Sequence, residues 1–245
     1  MVHLYEDKTR ITYYDLDFRG KVKLSALLRM VHIAADINAN HLKVGYRDLS
    51  QYDMSFVLQR FSVKASRMPA YDQVVTIRTW PGEVSKGTFI RKGDMYSQSG
   101  EKLLEWASMW LLFDIKARKV LRPQALPVQI PQITDMPVEI MPEKVVLPDI
   151  TGIAPISEHS HVVRYAEIDT NMHMNNSIYG DLVGNSIFAT LEPDNYTDWG
   201  QVHINFLGEV FPGEEIQIAS YTDGVNSFVK GDAPGRASFT AKVIW

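Results

Sequence analysis

A short run of polar residues in the second half of the sequence interrupts an otherwise apolar background. It contains Asp169, Asn171 and His173, which an extended backbone would place on one face, with Met172 and Met174 turned towards the core. A carboxylate, an amide and an imidazole held together can bind a carbonyl group, activate water and transfer protons. The run therefore predicts a catalytic site, and the alternative is a hydrogen-bonded loop that only caps a helix.

A helix is predicted to follow the polar run directly. Asn176 occupies the position of an N-cap residue, and apolar residues recur at helical spacing over 176–191. The backbone amides at a helix N-terminus favour negative charge, so they could stabilise the oxyanion that forms when a carbonyl is attacked. Asn175 and Asn176 are accordingly predicted to bind substrate.

Glu209 is the second candidate for chemistry. It follows an apolar strand pattern over 202–206 and comes directly after Gly208. A carboxylate at the end of a strand could bring a general base to the polar run. The alternative is a solvated residue that precedes the turn at Pro212 and Gly213.

The composition excludes several other kinds of site. None of the 245 residues is cysteine, so disulfides, thiolate metal ligands and a cysteine nucleophile are absent. The net charge of −4 gives no reason to expect nucleic acid as a partner. His159, His161 and His203 could be considered as metal ligands, but histidines of this kind are usually ordinary strand residues. No metal and no cofactor is predicted.

An internal repeat organises the chain. Residues 13–17 and 165–169 share the pattern Tyr-x-acid-aliphatic-Asp, and each copy precedes a helical pattern, over 25–42 with Ser25 as N-cap and over 176–191. The predicted strands cover 57–63, 74–80, 88–96 and 103–113 in the first half and 202–206, 216–221, 227–230 and 237–245 in the second. This order predicts an α+β fold in which two similar halves pair as a pseudo-dimer.

Proline marks the boundary between the halves. Seven of the twelve prolines lie between positions 123 and 155, which is incompatible with regular helix or a central strand. Because this stretch keeps apolar residues, we expect an ordered connector over 121–157, with 1–120 as the first half and 158–245 as the second. The first-half counterpart of the polar run, at 17–24, contains neither asparagine nor histidine, so only the second half is predicted to be catalytic.

The polar run resembles the Asp-x-Asn-x-His-x-Asn-Asn signature of the acyl-ACP thioesterases of plant plastids and bacteria. The strings Thr79-Trp80 and Trp110-Leu111-Leu112 extend the resemblance over almost the whole chain. It implies a tandem double hotdog fold, with two antiparallel sheets that each wrap a long central helix. It also implies hydrolysis of the thioester of fatty acyl-acyl carrier protein, which releases a free fatty acid.

The same resemblance implies roles for individual residues. The catalytic positions of the family fall on Asp169, Asn171, His173 and Glu209. A cysteine commonly follows the glutamate in plant members, whereas Val210 stands here, which favours water activated by carboxylate and amide over a papain-like mechanism. The acyl pocket is implied to lie in the first half, with the helix over 25–42 and the strand near Val57 as its walls.

Acyl carrier protein is the implied partner and is acidic, so we expect it to bind basic residues. The candidates are Arg19, Lys21, Lys23 or the run 116–122. No apolar run at the start resembles a signal peptide and no window could span a membrane, which predicts a cytoplasmic protein. The absence of a transit-peptide pattern favours the bacterial branch. A monomer and a homodimer are both open.

Three alternative functions are considered. An acyl-CoA thioesterase would keep the chemistry and change the carrier. A non-catalytic acyl-binding protein would need no polar run at the start of a helix. A hotdog dehydratase would use an acid on the second helix, for which Asp181 is available, but its usual His-Phe-Pro-like string is missing.

Overall fold

A computed structural model describes residues 3–188 and 198–245 of the chain. Its helices are α1 (Leu24–His41), α2 (Tyr46–Ser50) and α3 (Ile178–Phe188). The strands of the first half are β1 (Tyr5–Arg10), β2 (Met54–Ala65), β3 (Val74–Ser85), β4 (Thr88–Ser97), β5 (Lys102–Asp114) and β6 (Lys119–Leu121). Those of the second half are β7 (Ser157–Val162), β8 (Gln201–Phe206), β9 (Glu215–Thr222), β10 (Asn226–Ala233) and β11 (Arg236–Ile244).

The strands of the described residues form one antiparallel sheet in the order β1-β3-β4-β5-β2-β8-β11-β10-β9-β7, with β6 paired to β5. The second half repeats the strand order of the first, and the two halves join where β2 pairs with β8, from Arg60 opposite Asn205 to Lys64 opposite Gln201. The predicted α+β class is confirmed. The prediction of two separate sheets is wrong, because the edge strands β2 and β8 satisfy each other's backbone hydrogen bonds.

The two long helices lie against one face of this sheet and contact each other. α1 buries an apolar face that includes Leu27, Leu28 and Val31. A Cβ added at Gly180 of α3 would come within 2.6 Å of the backbone nitrogen of Ser25, so glycine permits the close approach of the helices.

Ser25 is not the N-cap that the sequence predicted. α1 begins at Leu24 with Lys23 at the N-cap position, and the Ser25 hydroxyl is buried and donates a hydrogen bond to Asp181 of α3. The contact between the helices therefore uses the side chain that was expected to cap one of them. The last part of the helix predicted over 176–191 lies outside the described residues.

The segment between the halves covers the other face of the sheet. Between Ala125 and Ser157 it contains no helix or strand in the structure. Val138 packs against Trp80, and Val145 packs in a cluster with Phe228. Both of these sheet residues alternate with neighbours that face the helices, so the connector packs on the opposite face. None of the described helices has the length and hydropathy needed to cross a membrane.

Candidate active site

The polar run of the second half forms a tight loop, so the extended backbone that the sequence predicted is wrong. Ile168 and Met174 pair as an isolated antiparallel bridge, and between them the Asp169 amide donates to the His173 carbonyl at 3.1 Å. Met172 adopts a φ of 65° at the tip of the loop. Met174 is buried as expected, whereas Met172 is 67% exposed.

Further hydrogen bonds fix this loop against the rest of the second half. The Asp169 carboxylate accepts a hydrogen bond from the backbone amide of Asn171 at 2.8 Å, which stabilises the turn. The Met174 amide donates to the Val210 carbonyl at 2.8 Å. Because Val210 directly follows Glu209, this hydrogen bond brings the glutamate beside the loop.

The helix after the loop is capped one residue earlier than predicted. The Asn175 side-chain oxygen accepts from the backbone amide of Ser177 at 2.9 Å and from its hydroxyl at 2.7 Å. α3 then begins at Ile178. Asn175 thus performs the capping expected of Asn176. Its side-chain oxygen accepts from the backbone amide two residues later, which is the hydrogen bond of an Asx turn.

Glu209 is held by contacts on two sides. Its backbone carbonyl accepts from the guanidinium of Arg236 at 3.1 and 2.8 Å. Its carboxylate oxygen Oε2 pairs with Nη2 of Arg118 at 2.9 Å, and Oε1 lies 4.0 Å from Nε2 of His173. The carboxylate is partly exposed, but it points into the same space as the loop side chains.

The orientation of His173 follows from its other nitrogen. Nδ1 lies 3.3 Å from the carbonyl oxygen of Met174, which can only accept a hydrogen bond. In the neutral imidazole, Nδ1 therefore carries the proton, and Nε2 presents a lone pair on the side of Glu209. The ring is in the tautomer that can receive a proton at Nε2.

A cavity of about 900 Å³ opens at this loop and extends between the two halves. The six residues predicted to act on or bind substrate all line it. They are Asp169, Asn171, His173, Asn175, Asn176 and Glu209. The first half supplies most of the apolar wall, including Ala35 and Ala39 of α1 and Phe56, Val57 and Leu58 of β2.

Two ring side chains complete the wall of the cavity. His32 of α1 packs edge-on against Phe61 and Trp110, and burial lowers its pKa to about 4, so the ring is uncharged at neutral pH. Tyr179 is buried at the start of α3, and burial raises the pKa of its hydroxyl. The wall of the cavity is mostly apolar, and its largest group of polar side chains lies at the loop.

The other sequence candidates lie elsewhere. The described residues contain no group of three acidic or imidazole side chains that could hold a metal ion. His159 and His161 lie on β7, His161 bonded to Glu167, while His203 lies on β8 and bonds Ser62. Three strands separate β7 from β8. Asp181 accepts from Ser25 and does not line the cavity described above.

Sequence reasoning missed two residues that position Glu209. Arg118 had been considered only as part of a basic run, and its partner lies 91 positions away. Arg236 also pairs with Glu214, which lowers the pKa of that carboxyl group. Neither arginine stands in a recognisable motif, so only the pairing of strands in space relates them to the site.

Comparison with known families identifies the family of the chain. The acyl-ACP thioesterase N-terminal domain matches residues 3–125, and the acyl-ACP thioesterase C-terminal domain matches residues 153–239. The chain belongs to the acyl-ACP thioesterase family. It is an enzyme that hydrolyses the thioester of fatty acyl-acyl carrier protein.

Solved structures show that the fold of this thioesterase is shared along its whole length. An acyl-ACP thioesterase from Bacteroides thetaiotaomicron is 18% identical, with a TM-score of 0.86 and coverage of 99% of this chain and 97% of that one. A 12:0-ACP thioesterase from Umbellularia californica is 17% identical, with a TM-score of 0.84 and coverage of 100% and 98%. A putative oleoyl thioesterase from Lactobacillus plantarum is 20% identical, with a TM-score of 0.80 and coverage of 99% and 94%. No curated protein sequence matches the chain.

Proposed function

We propose that this acyl-ACP thioesterase hydrolyses its substrate at the loop between Ile168 and Met174, with Glu209 as the general base. The observation that carries the proposal is the convergence of Glu209, His173 and Asn171 at one end of a largely apolar cavity. Such a cavity suits an acyl chain, and its polar end suits the thioester. The 4.0 Å between Oε1 of Glu209 and Nε2 of His173 allows an attacking water to contact both atoms.

The proposed reaction proceeds by direct attack of water. The water oxygen adds to the acyl carbonyl carbon while one of its protons passes to Glu209. The carbon–sulfur bond then breaks, and the same proton is passed through Nε2 of His173 to the departing thiolate. The products are the free fatty acid and the thiol of the carrier. Val210 is fully buried and carries no nucleophile, which is consistent with a mechanism without a covalent intermediate.

The remaining loop residues are assigned to positioning and charge stabilisation. The side-chain amide of Asn171 holds the carbonyl oxygen of the thioester. The carboxylate of Asp169 fixes the turn by accepting a hydrogen bond from the backbone amide of Asn171. Asn175 and Asn176 contact the substrate beside the first turn of α3, where the amide dipoles favour the developing oxyanion. Arg118 keeps one carboxylate oxygen of Glu209 occupied, so that the other is directed towards His173.

The fold and its division belong to the same proposal. Two tandem hotdog-type halves, at 1–120 and 158–245, are joined by the ordered connector at 121–157. The first half supplies the acyl pocket and the second supplies the catalytic residues. A cytoplasmic location, and a monomer or homodimer as the working form, complete the proposal; cell fractionation and light scattering of the purified protein test these two points.

Acyl carrier protein is proposed to bind the basic run at 116–122. Arg118 of this run lines the cavity beside Glu209, and Lys119 and Arg122 are exposed. By contrast, Arg19 and Lys21 pair with Asp17 and Asp198 at the other loop. Replacing Lys119 and Arg122 with glutamine should lower kcat/KM for acyl-ACP several-fold at low salt and reduce its salt dependence. Unchanged salt dependence would contradict this docking site.

The decisive experiment measures thiol release from a panel of acyl-ACPs, with matched acyl-CoAs, for the wild type and Glu209→Gln. We expect hydrolysis of acyl-ACP by the wild type and a loss of about 100- to 10,000-fold in kcat for the variant, because the amide cannot accept the proton. Glu158→Gln, an exposed change on β7, is the matched control. Near-normal turnover by Glu209→Gln would contradict the assignment of the base, and activity on CoA alone would change the carrier.

A further inference from the structure

Arg91 is a cation in the wall of the acyl cavity that has no acidic partner. It lies on β4 and lines the cavity, and its Nη1 donates to the neutral side chains of Asn38 at 2.8 Å and Thr79 at 3.4 Å. Among the described residues, no carboxylate pairs with it, and its Nε and Nη2 have no hydrogen-bond partner. Burial lowers its pKa to about 10, so the guanidinium remains charged at neutral pH.

Arg91 lies on a strand well separated along the sheet from the one that leads to Glu209. The sheet places β5 and β2 between β4 and β8, and Glu209 follows β8. Three strand spacings of about 4.8 Å put the two strands roughly 14 Å apart along the sheet. An acyl chain whose thioester lies at Glu209 and His173 would therefore reach Arg91 with its distal part.

The neighbouring groups do not neutralise this charge. Asp36 of α1 also lines the cavity, but its carboxylate accepts from Asn40 at 3.1 Å and makes no ion pair with Arg91. His32 is uncharged at neutral pH and packs against aromatic rings. A plain hydrocarbon end would leave the N–H donors of Nε and Nη2 facing apolar atoms, which is unfavourable.

We propose that the cavity accepts acyl chains whose far end carries a carboxylate, so that the enzyme hydrolyses half-thioesters of dicarboxylic acids. The guanidinium of Arg91 would donate two parallel hydrogen bonds to the terminal carboxylate, the arrangement that planar guanidinium favours. Asn38 and Thr79 hold the Nη1 side of the group and leave the other nitrogens for this ligand. The inference rests on the proposed function, because it requires the thioester to lie at the catalytic loop.

The test compares ω-carboxyacyl-ACPs with unsubstituted acyl-ACPs of the same lengths, for the wild type, Arg91→Met and Arg29→Met. We expect the wild type to have the higher kcat/KM on a carboxylated chain of matching length. Arg91→Met should lower that value about 100-fold, since it removes one partner of a buried charge pair. It should raise kcat/KM on unsubstituted chains, since it replaces unpaired N–H donors with an apolar side chain. Arg29, exposed on α1 and outside the cavity, is the control and should behave as the wild type.

The outcomes separate this inference from the proposed function. If the wild type hydrolyses unsubstituted chains and discriminates tenfold or more against every carboxylated chain, the inference is wrong while the proposed function stands. If the wild type hydrolyses neither kind of acyl-ACP, the proposed function itself fails. The comparison between the two substrates needs no variant, so the inference stays testable even if Arg91→Met does not fold.

Discussion

Two loops of the same backbone shape precede the two long helices, one in each half of the molecule. In the first half the Asp17 amide donates to the Lys21 carbonyl at 2.8 Å, and in the second the Asp169 amide donates to the His173 carbonyl at 3.1 Å. Each loop is closed by an isolated bridge between its flanking residues. Gly20 has the positive φ in the first loop, and Met172 has it in the second.

The side chains differ at two key positions of these matching backbones. Arg19 and Lys21 stand where the second loop has Asn171 and His173. Arg19 pairs with Asp17 and Lys21 pairs with Asp198, so the first loop uses its charges in ion pairs.

The position of the proposed base differs as well. Glu209 lies four residues before Gly213, whose amide donates to Val163, and Met68 lies four residues before Asp72, whose amide donates in the same way to Ile11. Met68 is buried in the core, so the first half has an apolar side chain where the second has a carboxylate.

The cavities beside the two loops differ in size. The cavity at the second loop measures about 900 Å³, and the cavity at the first loop about 320 Å³. At the first loop the guanidinium of Arg19 lies 4.2 Å from the centre of the Phe188 ring. The fold therefore offers two equivalent loop positions, and the second of them combines the larger cavity with a carboxylate, amide and imidazole group.

The largest expected effect is a difference in activity between variants at matching positions of the two loops, His173 and Lys21. We predict that His173→Ala lowers kcat on acyl-ACP by about 1,000-fold, because it removes the group that passes a proton to the thiolate. Lys21→Ala, at the matching position of the first loop, should change kcat less than about threefold, since it loses only a surface ion pair. Thiol release measured for both variants checks the prediction. Comparable losses in the two variants would show that the first loop also takes part in the reaction.

The repeat was readable from the sequence because its apolar periodicity is local. The two long helices and eight of the strands were predicted with approximate bounds, since hydrophobic spacing reports which face of an element is buried. No bounds were predicted for α2, β1, β6 or β7. Gathering Asp169, Asn171 and His173 was also predictable, because the three residues are close in the chain. The shape of their loop was not, since a positive φ at Met172 is set by closing hydrogen bonds and not by residue type.

Contacts between distant segments could not be predicted. Ser25 looked like an N-cap because capping preferences are local, but its hydroxyl bonds Asp181 on the other helix. The pairing of Arg118 with Glu209 depends on how β6 and β8 are arranged across the join between the halves. The single continuous sheet could not be predicted either, because neither the sequence of β2 nor that of β8 indicates which strand it pairs with.

A smaller effect concerns how the two helices meet. Gly180→Ala should lower the free energy of unfolding by about 2–3 kcal/mol, because its Cβ would lie 2.6 Å from the Ser25 backbone nitrogen. Gly184→Ala on the same helix meets nothing within 4 Å and should raise that free energy by roughly 0.5 kcal/mol. Urea titrations of both variants measure the difference. Equal effects would mean that α1 and α3 do not approach closely at Gly180.

The smallest expected effect is a pH dependence of stability that arises from a residue of α1 with no titratable counterpart on α3. His32 of α1 faces the large cavity, while Gly184 stands at the same 152-residue spacing on α3. Burial lowers the pKa of His32 from 6.5 to about 4 in the folded protein. Between these pH values the unfolded chain binds a proton that the folded chain does not, so the stability falls as the pH falls through this window. At pH 5 the loss from this group should be about 1–2 kcal/mol relative to pH 7.

His32→Phe should remove that part of the pH dependence, because the ring can no longer titrate in either state. The quantity to compare is the difference in urea midpoint between pH 7 and pH 5, which is insensitive to any constant cost of fitting phenylalanine. His203, whose pKa is also lowered by burial, remains in both proteins and cancels in the comparison. His41→Phe, exposed at the end of α1, is the matched control and should keep the wild-type difference. If His32→Phe loses as much stability at pH 5 as the wild type, His32 is protonated in the folded protein and the cavity wall is more polar than its packing indicates.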